Sequence, residues 1–541
     1  MVAAKHPLIA QTGVDIMRKG GNAVDAAVAA AFVDCVVEPA MNGIGGEGVM
    51  AIHTTDGRNT IIDYVGRPSK DCTPDMYELF DEIEPGWMGW RRVKDDANFI
   101  GYKAATTPGT VAGLATALEL HGTMELSEVL EPAVKIAEEG FAVGWWTVSH
   151  IVSTMDSFSR FPGWRRLFLK DGRYPPRPYS HSRRKNPALL VNKDLAWSLS
   201  QIAEEGPDAF YKGEIAELIV KDMAENDGLI TAEDLAMYEP IVLEPTPGKY
   251  RGYDVIYDPS HAGTTLMEIL NILDGFDLAG YGFGSSEHIH VMAEAIGLAY
   301  ADRFEYMGDP GFVKVPQKGL VSKEYAEELQ KRISFEGAAE IAPGNPWPYE
   351  ECTTALTVVD EERCAVSINQ TIVGQLGGGF GCGVVVPGTG FVFNNAMYGL
   401  NPEPGYANSI DGRKRRIQNV CPTILLKDGE SFMAVGAPGG RAIQTSIVQT
   451  IVHVVDFGMD PQSAIEAPRI TREVGETQVD NRFSKEAYDK LREMGHQIAY
   501  IDKELGNWAK PVGIVVDPEK NLLYGGVECH FLCFEAEAIG Y

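Results

Sequence analysis

The chain opens in helical pattern. A first helix is predicted over Pro7 to Arg18 and stops at Gly20-Gly21. Asn22 then caps an Ala/Val-rich helix running through Asp25 to about Val36. Its apolar residues occupy nearly every face, which predicts burial inside a layered core. From Thr107-Pro-Gly109 to Gly140 the pattern is again helical, with apolar positions at Leu114, Ala117 and Leu118 and at Val129, Val134 and Ile136. Residues from about 145 to 190 are rich in Trp, Arg, Pro and Ser and suggest a surface excursion. Helices resume over about 195–240, followed by a strand at Tyr253–Tyr257 and a helix over about 265–275. Another helix carries Glu287 to Tyr306 and ends at Met307-Gly-Asp-Pro310. A Pro/Gly/Glu-rich linker then covers about 335–350, of the accessible, extended kind.

After Thr353 the pattern changes to alternation. Thr353–Asp360 and Cys364–Thr371 read as two strands joined by a charged turn at Glu361-Glu-Arg363. Phe391–Met397, Thr423–Lys427 and Phe432–Val435 read the same way. A helix is predicted from about Ala442 to Val455 and another near Pro461–Ala467. Helices first, then strands flanked by helices, point to one layered α/β unit whose two halves share a core.

Composition adds boundaries. The 541 residues are 45% hydrophobic and 23% charged, an ordinary globular balance. A formal charge of −29 excludes a general electrostatic attraction to nucleic acid or an anionic membrane. No stretch has the length and apolarity of a membrane helix. The N-terminus lacks a charged segment followed by an apolar run, so a cytoplasmic location is expected. The eight cysteines lack metal-ligand spacing, and the one cluster, Cys529-His530-x-x-Cys533, reads as structural, so no metal or cofactor is expected. Gly43-Ile-Gly45-Gly-Glu-Gly48 matches G-x-G-x-x-G, but a helix precedes it and a strand follows. That inverts the dinucleotide-binding context and leaves tight backbone packing as the reading.

The candidate chemistry lies in two places. Thr353 opens a strand directly after the linker, and a threonine is a weak nucleophile unless a base sits beside it. Its own α-amine is such a base once the Cys352–Thr353 bond is cut. About ninety residues on, Gly436-Ala-Pro-Gly439-Gly440 precedes a helix, where backbone N–H groups and the helix dipole favour an oxyanion. Taken singly, Thr-Thr in an alternating run is plain β-propensity and Pro-Gly-Gly is a turn.

In combination with other phrases they form a specific pattern. Gly13-Val-Asp-Ile-Met-Arg-Lys-Gly-Gly-Asn-Ala-Val-Asp-Ala-Ala, Thr107-Pro-Gly-Thr-Val-Ala-Gly113 and Tyr300-Ala-Asp-Arg-Phe-Glu-Tyr-Met-Gly-Asp-Pro310 precede Thr353-Thr354…Val359-Asp360. Val386-Pro-Gly-Thr-Gly390, Asn394-Asn395-x-Met397, Cys421-Pro-Thr-Ile, Gly436-x-Pro-Gly-Gly440 and Ala467-Pro-Arg469 follow it. In this order the phrases resemble the γ-glutamyltranspeptidase family over nearly the whole chain. The resemblance implies a four-layer αββα Ntn-hydrolase sandwich formed jointly by a large subunit segment, 1–352, and a small one, 353–541. It implies self-cleavage between Cys352 and Thr353, an acyl-enzyme on Thr353, an oxyanion hole at Gly439 and Gly440, and Thr371 as the second threonine that hydrogen-bonds the nucleophile.

The family's substrate grip is largely missing. Val65 stands at the register of its carboxylate-binding arginine, with Arg67 two places on. Val373 replaces an asparagine, Ala396 and Gly399 replace a Gln and an Asp, Gln418-Asn419 replaces a Ser-Ser pair, and Ala355 replaces a histidine. Losing several such buried partners, at about 2–5 kcal/mol each, removes glutathione recognition. Arg67 and Arg441, with Gln418 and Asn419, are the candidate replacements, since arginine suits bidentate carboxylate binding. Gly377-Gly-Gly-Phe-Gly-Cys-Gly383 lacks a following Lys-Ser/Thr and reads as a flexible loop beside the site.

The expectation is an autoprocessing amidohydrolase acting on a small carboxylate-bearing amide, the family's non-glutamyl options being oxamate-type amides and acylated amines such as cephalosporin side chains. Its partners would be that small molecule and, after self-cleavage, a large/small subunit heterodimer or a dimer of these. A γ-glutamyltransferase or glutathione hydrolase with a rebuilt pocket, and an unprocessed homologue with a binding role, remain as alternatives.

Overall fold

Asn22 starts the second helix as the sequence predicts. Its side chain accepts from the Val24 and Asp25 amides while Asp25 reaches back to the Asn22 amide, a reciprocal box that satisfies donors orphaned at a helix start. The helix runs Ala23–Val37 with every residue buried, as an Ala/Val-rich helix without a polar face requires. The first helix spans Pro7–Arg18, the predicted limits. These features belong to a computed structural model that describes residues 1–83, 90–178, 188–339, 341, 353–374, 379–473, 475–502, 508–529 and 535–541.

Two antiparallel sheets form the centre. The first has seven strands in the order Glu537–Ile539, Val2–Ala4, Thr354–Val359, Ala365–Thr371, Glu47–His53, Asn59–Asp63 and Ile241–Leu243. The second has six: Leu522–Val527, Val512–Asp517, Glu430–Gly436, Thr423–Lys427, Tyr253–Ile256 and Gly248–Tyr250. Alternation along each strand divides its side chains between two layers. Ala355 and Val359 meet Ile424, Ala434 and Ile514 of the second sheet in an apolar layer between the sheets. Leu356 and Val358 point the other way, into a core shared with the Ala23–Val37 helix. Leu425, Met433 and Val435 face outward against the helices Ala262–Leu273, Ser286–Tyr306 and Ala442–Val455. The result is the helix–sheet–sheet–helix sandwich that the resemblance implied. The first sheet takes strands from both sides of Thr353, so the segments 1–352 and 353–541 share one core.

Two expectations are corrected. The stretch from about 145 to 190 is no mere excursion: Trp145–Phe158 and Pro162–Phe168 are helices. Phe158, Trp164 and Phe168 are buried there, with Trp164 and Phe168 ring centroids 5.7 and 4.4 Å from Phe380. Phe391–Met397 is not a strand, and a short 3-10 turn covers Ala396–Gly399. The reason is local. Asn394 accepts from the Thr106 and Ala396 amides and donates to the Gly45 and Thr106 carbonyls, so side-chain bonds take the place of a ladder. Among the described residues, no helix is long and apolar enough to cross a membrane.

Candidate active site

The site is built at the end of the first sheet. The strands Thr354–Val359 and Ala365–Thr371 pair with Thr354 opposite Gln370. Carrying that register one residue on sets Thr353 across from Thr371, and Thr371 in turn stands opposite Glu47. Directly opposed residues share a face, so Thr353, Thr371 and Glu47 form a row looking into the space between the sheets. All three are buried. The Thr371 hydroxyl accepts from the Val373 amide at 2.7 Å. That turn holds Val373 at φ +70, a left-handed conformation costly for a β-branched residue.

The strand Glu430–Gly436 delivers the glycine loop to the same place. Asn369 fastens it: its amide nitrogen donates to the Ala437 carbonyl at 2.8 Å and reaches the Thr354 carbonyl at 3.4 Å. Ser367, two residues back, donates to the Val435 carbonyl at 2.9 Å. On the far side of the loop the Lys510 amide donates to the Pro438 carbonyl at 2.8 Å. Gly439 has φ +136, and a Cβ there would lie 2.3 Å from the Ala509 Cα, so only glycine fits. Gly440 has φ +58 and leads through Arg441 into the helix Ala442–Val455. Among the described residues, the buried Gly439 and Gly440 amides donate to no protein acceptor. Two such amides at the start of a fourteen-residue helix suit an anion.

Charged side chains fill the flank of this row. Glu47 accepts from Arg416 at 2.8 Å, from the Gly66 amide at 2.6 Å and from the Gln418 amide. Asp63 accepts from His261 at 3.1 Å and pairs with Arg415, which also holds Asp309. Burial alone would raise the Asp63 carboxyl, but the neighbouring His261 and Arg415 outweigh it and keep it below the usual carboxylate range. Arg303 donates to the Gln418 carbonyl at 2.9 Å and to Asn419 Oδ1 at 2.8 Å. Arg441 pairs with Glu473 at 3.2 Å and lies over the Phe304 ring. Behind the row, Asp34 on the second helix accepts from the Thr354 hydroxyl at 3.3 Å and from Asn42 at 3.1 Å. Burial pushes its carboxyl up to about 8 against those two hydrogen bonds.

Of the residues singled out from sequence, Thr353 and Thr371 share one ladder row and Gly439 and Gly440 sit on the loop that Asn369 ties to it. Gln418, Asn419 and Arg441 converge through Arg303, Tyr300 and Gln444, since the Tyr300 hydroxyl lies within hydrogen-bonding reach of both the Arg441 carbonyl and the Gln444 side chain. Arg67 leaves this group: it donates to the Glu239 carbonyl at 2.8 Å and lies over the Tyr238 ring. Cys352, Gly377, Gly378 and Cys533 lie outside the described residues. Gly379, in the loop expected to be flexible, is wedged against the Ala40 carbonyl, so the described part is tightly packed. Sequence reasoning missed Glu47, Asn369 and Asp34. The available signal was polar residues at strand and helix positions where alternation or an apolar run calls for apolar ones.

The sandwich is that of an N-terminal-nucleophile hydrolase. The gamma-glutamyltranspeptidase family model matches residues 9–529, and the chain belongs to this family. It is 39% identical over 509 residues to the acylase ACY 1 proenzyme of Pseudomonas sp. (strain SE83), covering 94% of this chain and 88% of that one. It is 38% identical over 545 residues to the glutathione hydrolase proenzyme of Escherichia coli (strain K12), covering 97% and 89%. Among solved structures it resembles the cephalosporin acylase from Bacillus halodurans, with a TM-score of 0.85 and 30% identity over 99% of this chain and 94% of that one. The protein is an enzyme of this Ntn-hydrolase kind.

Proposed function

We propose that Thr353 is the nucleophile of an autoprocessing amidohydrolase, with residues 1–352 and 353–541 becoming its large and small subunits and working as a heterodimer in the cytoplasm. The reading is carried by the Gly439 and Gly440 amides, which donate to no acceptor among the described residues and are fastened beside the Thr353 strand by Asn369. In self-cleavage, Thr353 Oγ1 attacks the Cys352 carbonyl carbon. The C–N bond breaks as a C–O ester bond forms, and the nitrogen takes the hydroxyl proton. Water then hydrolyses the ester, leaving a Cys352 carboxylate and a free Thr353 amine. In turnover that amine accepts the hydroxyl proton while Oγ1 attacks the substrate amide. The Gly439 and Gly440 amides stabilise the oxyanion, the leaving amine departs with the proton, and water releases the acyl group. Thr371, whose oxygen is occupied by the Val373 amide, donates its own proton to Thr353 Oγ1. These steps need no metal or cofactor.

The substrate is a small amide whose acyl half bears a carboxylate and lacks an α-ammonium group. Ala396 and Gly399 offer nothing to an ammonium, and the nearby carboxylates Glu47 and Asp63 are engaged by Arg416 and Arg415. The substrate carboxylate exchanges with Glu473 on Arg441, with Gln418 and Asn419 alongside. A γ-glutamyl reading keeps its place because of the 38% identity to a glutathione hydrolase. On a denaturing gel the 59.0 kDa chain should split into two fragments, and Thr353→Ala should stay whole and inactive. The split enzyme should cleave glutaryl-p-nitroanilide faster than γ-glutamyl-p-nitroanilide, with or without a dipeptide acceptor. The reverse order moves the assignment to the γ-glutamyl reading. A wild-type chain that never splits, and whose Thr353 resists an electrophilic probe, overturns the enzyme assignment.

A further inference from the structure

On the outer side of the second sheet, away from the Thr353 row, the fold gathers a second polar cluster. His290 and Glu294 are one turn apart on the helix Ser286–Tyr306, and His496 approaches them from beyond the helix Lys485–Glu493. All three are buried, and one ligating atom from each lies within 4.8 Å of the others. His290 Nδ1 is 2.8 Å from His496 Nε2, which is 3.8 Å from Glu294 Oε1. We propose that His290, Glu294 and His496 form a binding site for a zinc-class divalent cation, with water as the fourth ligand.

Two imidazoles and one carboxylate are a borderline-soft donor set suited to such a cation. Nitrogen ligands at about 2.0–2.1 Å in a tetrahedral shell stand about 3.3 Å apart, so the two rings need to part by only about half an ångström. An outer partner is already in place: His496 Nδ1 lies 3.1 Å from the Thr477 hydroxyl, which can accept from Nδ1–H when Nε2 turns to a cation. Glu294 Oε2 accepts from the Ala339 amide at 3.1 Å. The opposing feature is Arg472, which pairs with Glu294 and also donates to the Ala339 carbonyl, while Arg332 adds a second positive charge nearby. The cation must share the carboxylate with a guanidinium. Affinity is therefore held down by Arg472, and this gives the proposal a sign that a purely structural cluster lacks.

The test is calorimetric titration of zinc chloride into the untagged, EDTA-treated full chain. One equivalent should bind. His290→Ala and His496→Ala should each weaken binding by about tenfold or more, Cys529→Ser should leave it unchanged, and Arg472→Gln should tighten it by about threefold or more. Circular dichroism checks each fold, and His290→Gln replaces His290→Ala if that variant is unfolded. No zinc bound at about 100 µM, binding that survives loss of both histidines, or loss of binding in Cys529→Ser overturns the site.

Discussion

Asn369 should matter to catalysis more than to stability, and a paired substitution separates the two. Its amide nitrogen is shared between the Ala437 carbonyl at 2.8 Å and the Thr354 carbonyl at 3.4 Å. Asn369→Leu keeps the volume and removes both bonds. Leaving buried carbonyls unpaired costs about 1–3 kcal/mol, but the Asn369 Oδ1 is itself buried without a partner, and its removal returns part of that. A net loss of about 1–2 kcal/mol is expected. The catalytic effect comes from geometry. Ala437 is two residues from Gly439, and a donor misplaced by about 1 Å costs up to about a hundredfold. We therefore expect kcat to fall by about 10- to 100-fold with KM within about twofold, because only the transition state uses the oxyanion donors. Ser367→Ala is the control: it removes a comparable bond, to the Val435 carbonyl at 2.9 Å, one strand row farther from Thr353. It should lower the thermal midpoint similarly while leaving kcat within about threefold. Steady-state kinetics on the preferred anilide, with calorimetric melting, decide the matter. Equal kcat losses in the two variants, or full kcat in Asn369→Leu, would refute the argument.

Val373, at φ +70, carries strain that Asn tolerates better, so Val373→Asn should raise the thermal midpoint by the equivalent of about 1 kcal/mol. It also restores the asparagine of the family pattern, and should raise γ-glutamyl turnover relative to glutaryl turnover; a lower midpoint argues against the strain assignment. Gly439→Ala drives a Cβ to 2.3 Å from the Ala509 Cα and should abolish acylation of Thr353 by an electrophilic probe while the chain remains folded by circular dichroism. Asp34 titrates near 8 when folded and near the ordinary carboxylate value when unfolded. Its contribution is thus most favourable below about pH 4 and is lost as pH rises to about 8. Asp34→Asn should accordingly gain stability over wild type by a margin that widens from pH 5 to pH 8 in melting experiments, and a constant margin would contradict the shift.

The legible parts of the sequence were those governed by local chemistry. The Asn22 cap, the glycine stop after Arg18 and the alternation after Thr353 each depend on residues a few places apart, and each recurs in the fold. Val2–Ala4 is too short for any periodic signal and is fixed by pairing with Thr354–Val359 and Glu537–Ile539. The aromatics Phe158, Phe161, Trp164 and Phe168 are at helical spacing, but arginine and proline around them suggested a surface. The Thr353 and Gly439-Gly440 candidates came from motif order. Glu47 and Arg416 lie far apart in the chain, and their ion pair is invisible until two sheets are stacked.

That ion pair also bears on how the proposed chemistry and the proposed substrate preference would be held by different parts of the scaffold. Thr353, Thr371 and the glycine loop are held by backbone register and by Asn369, whose bonds go to main-chain carbonyls and are indifferent to the substrate. The flank is held by side chains: Arg416 and Gln418 on Glu47, Arg415 on Asp63, Glu473 on Arg441. A buried ion pair is costly to break one partner at a time, about 3–5 kcal/mol, but its replacement as a unit can be nearly neutral. Substitutions in the flank are therefore expected to be tolerated as linked pairs, with the register of the row unaffected. Restoring a glutamyl pocket should accordingly require coupled substitutions, with Glu47 and Arg416 replaced together, and either one alone should lose more stability than both.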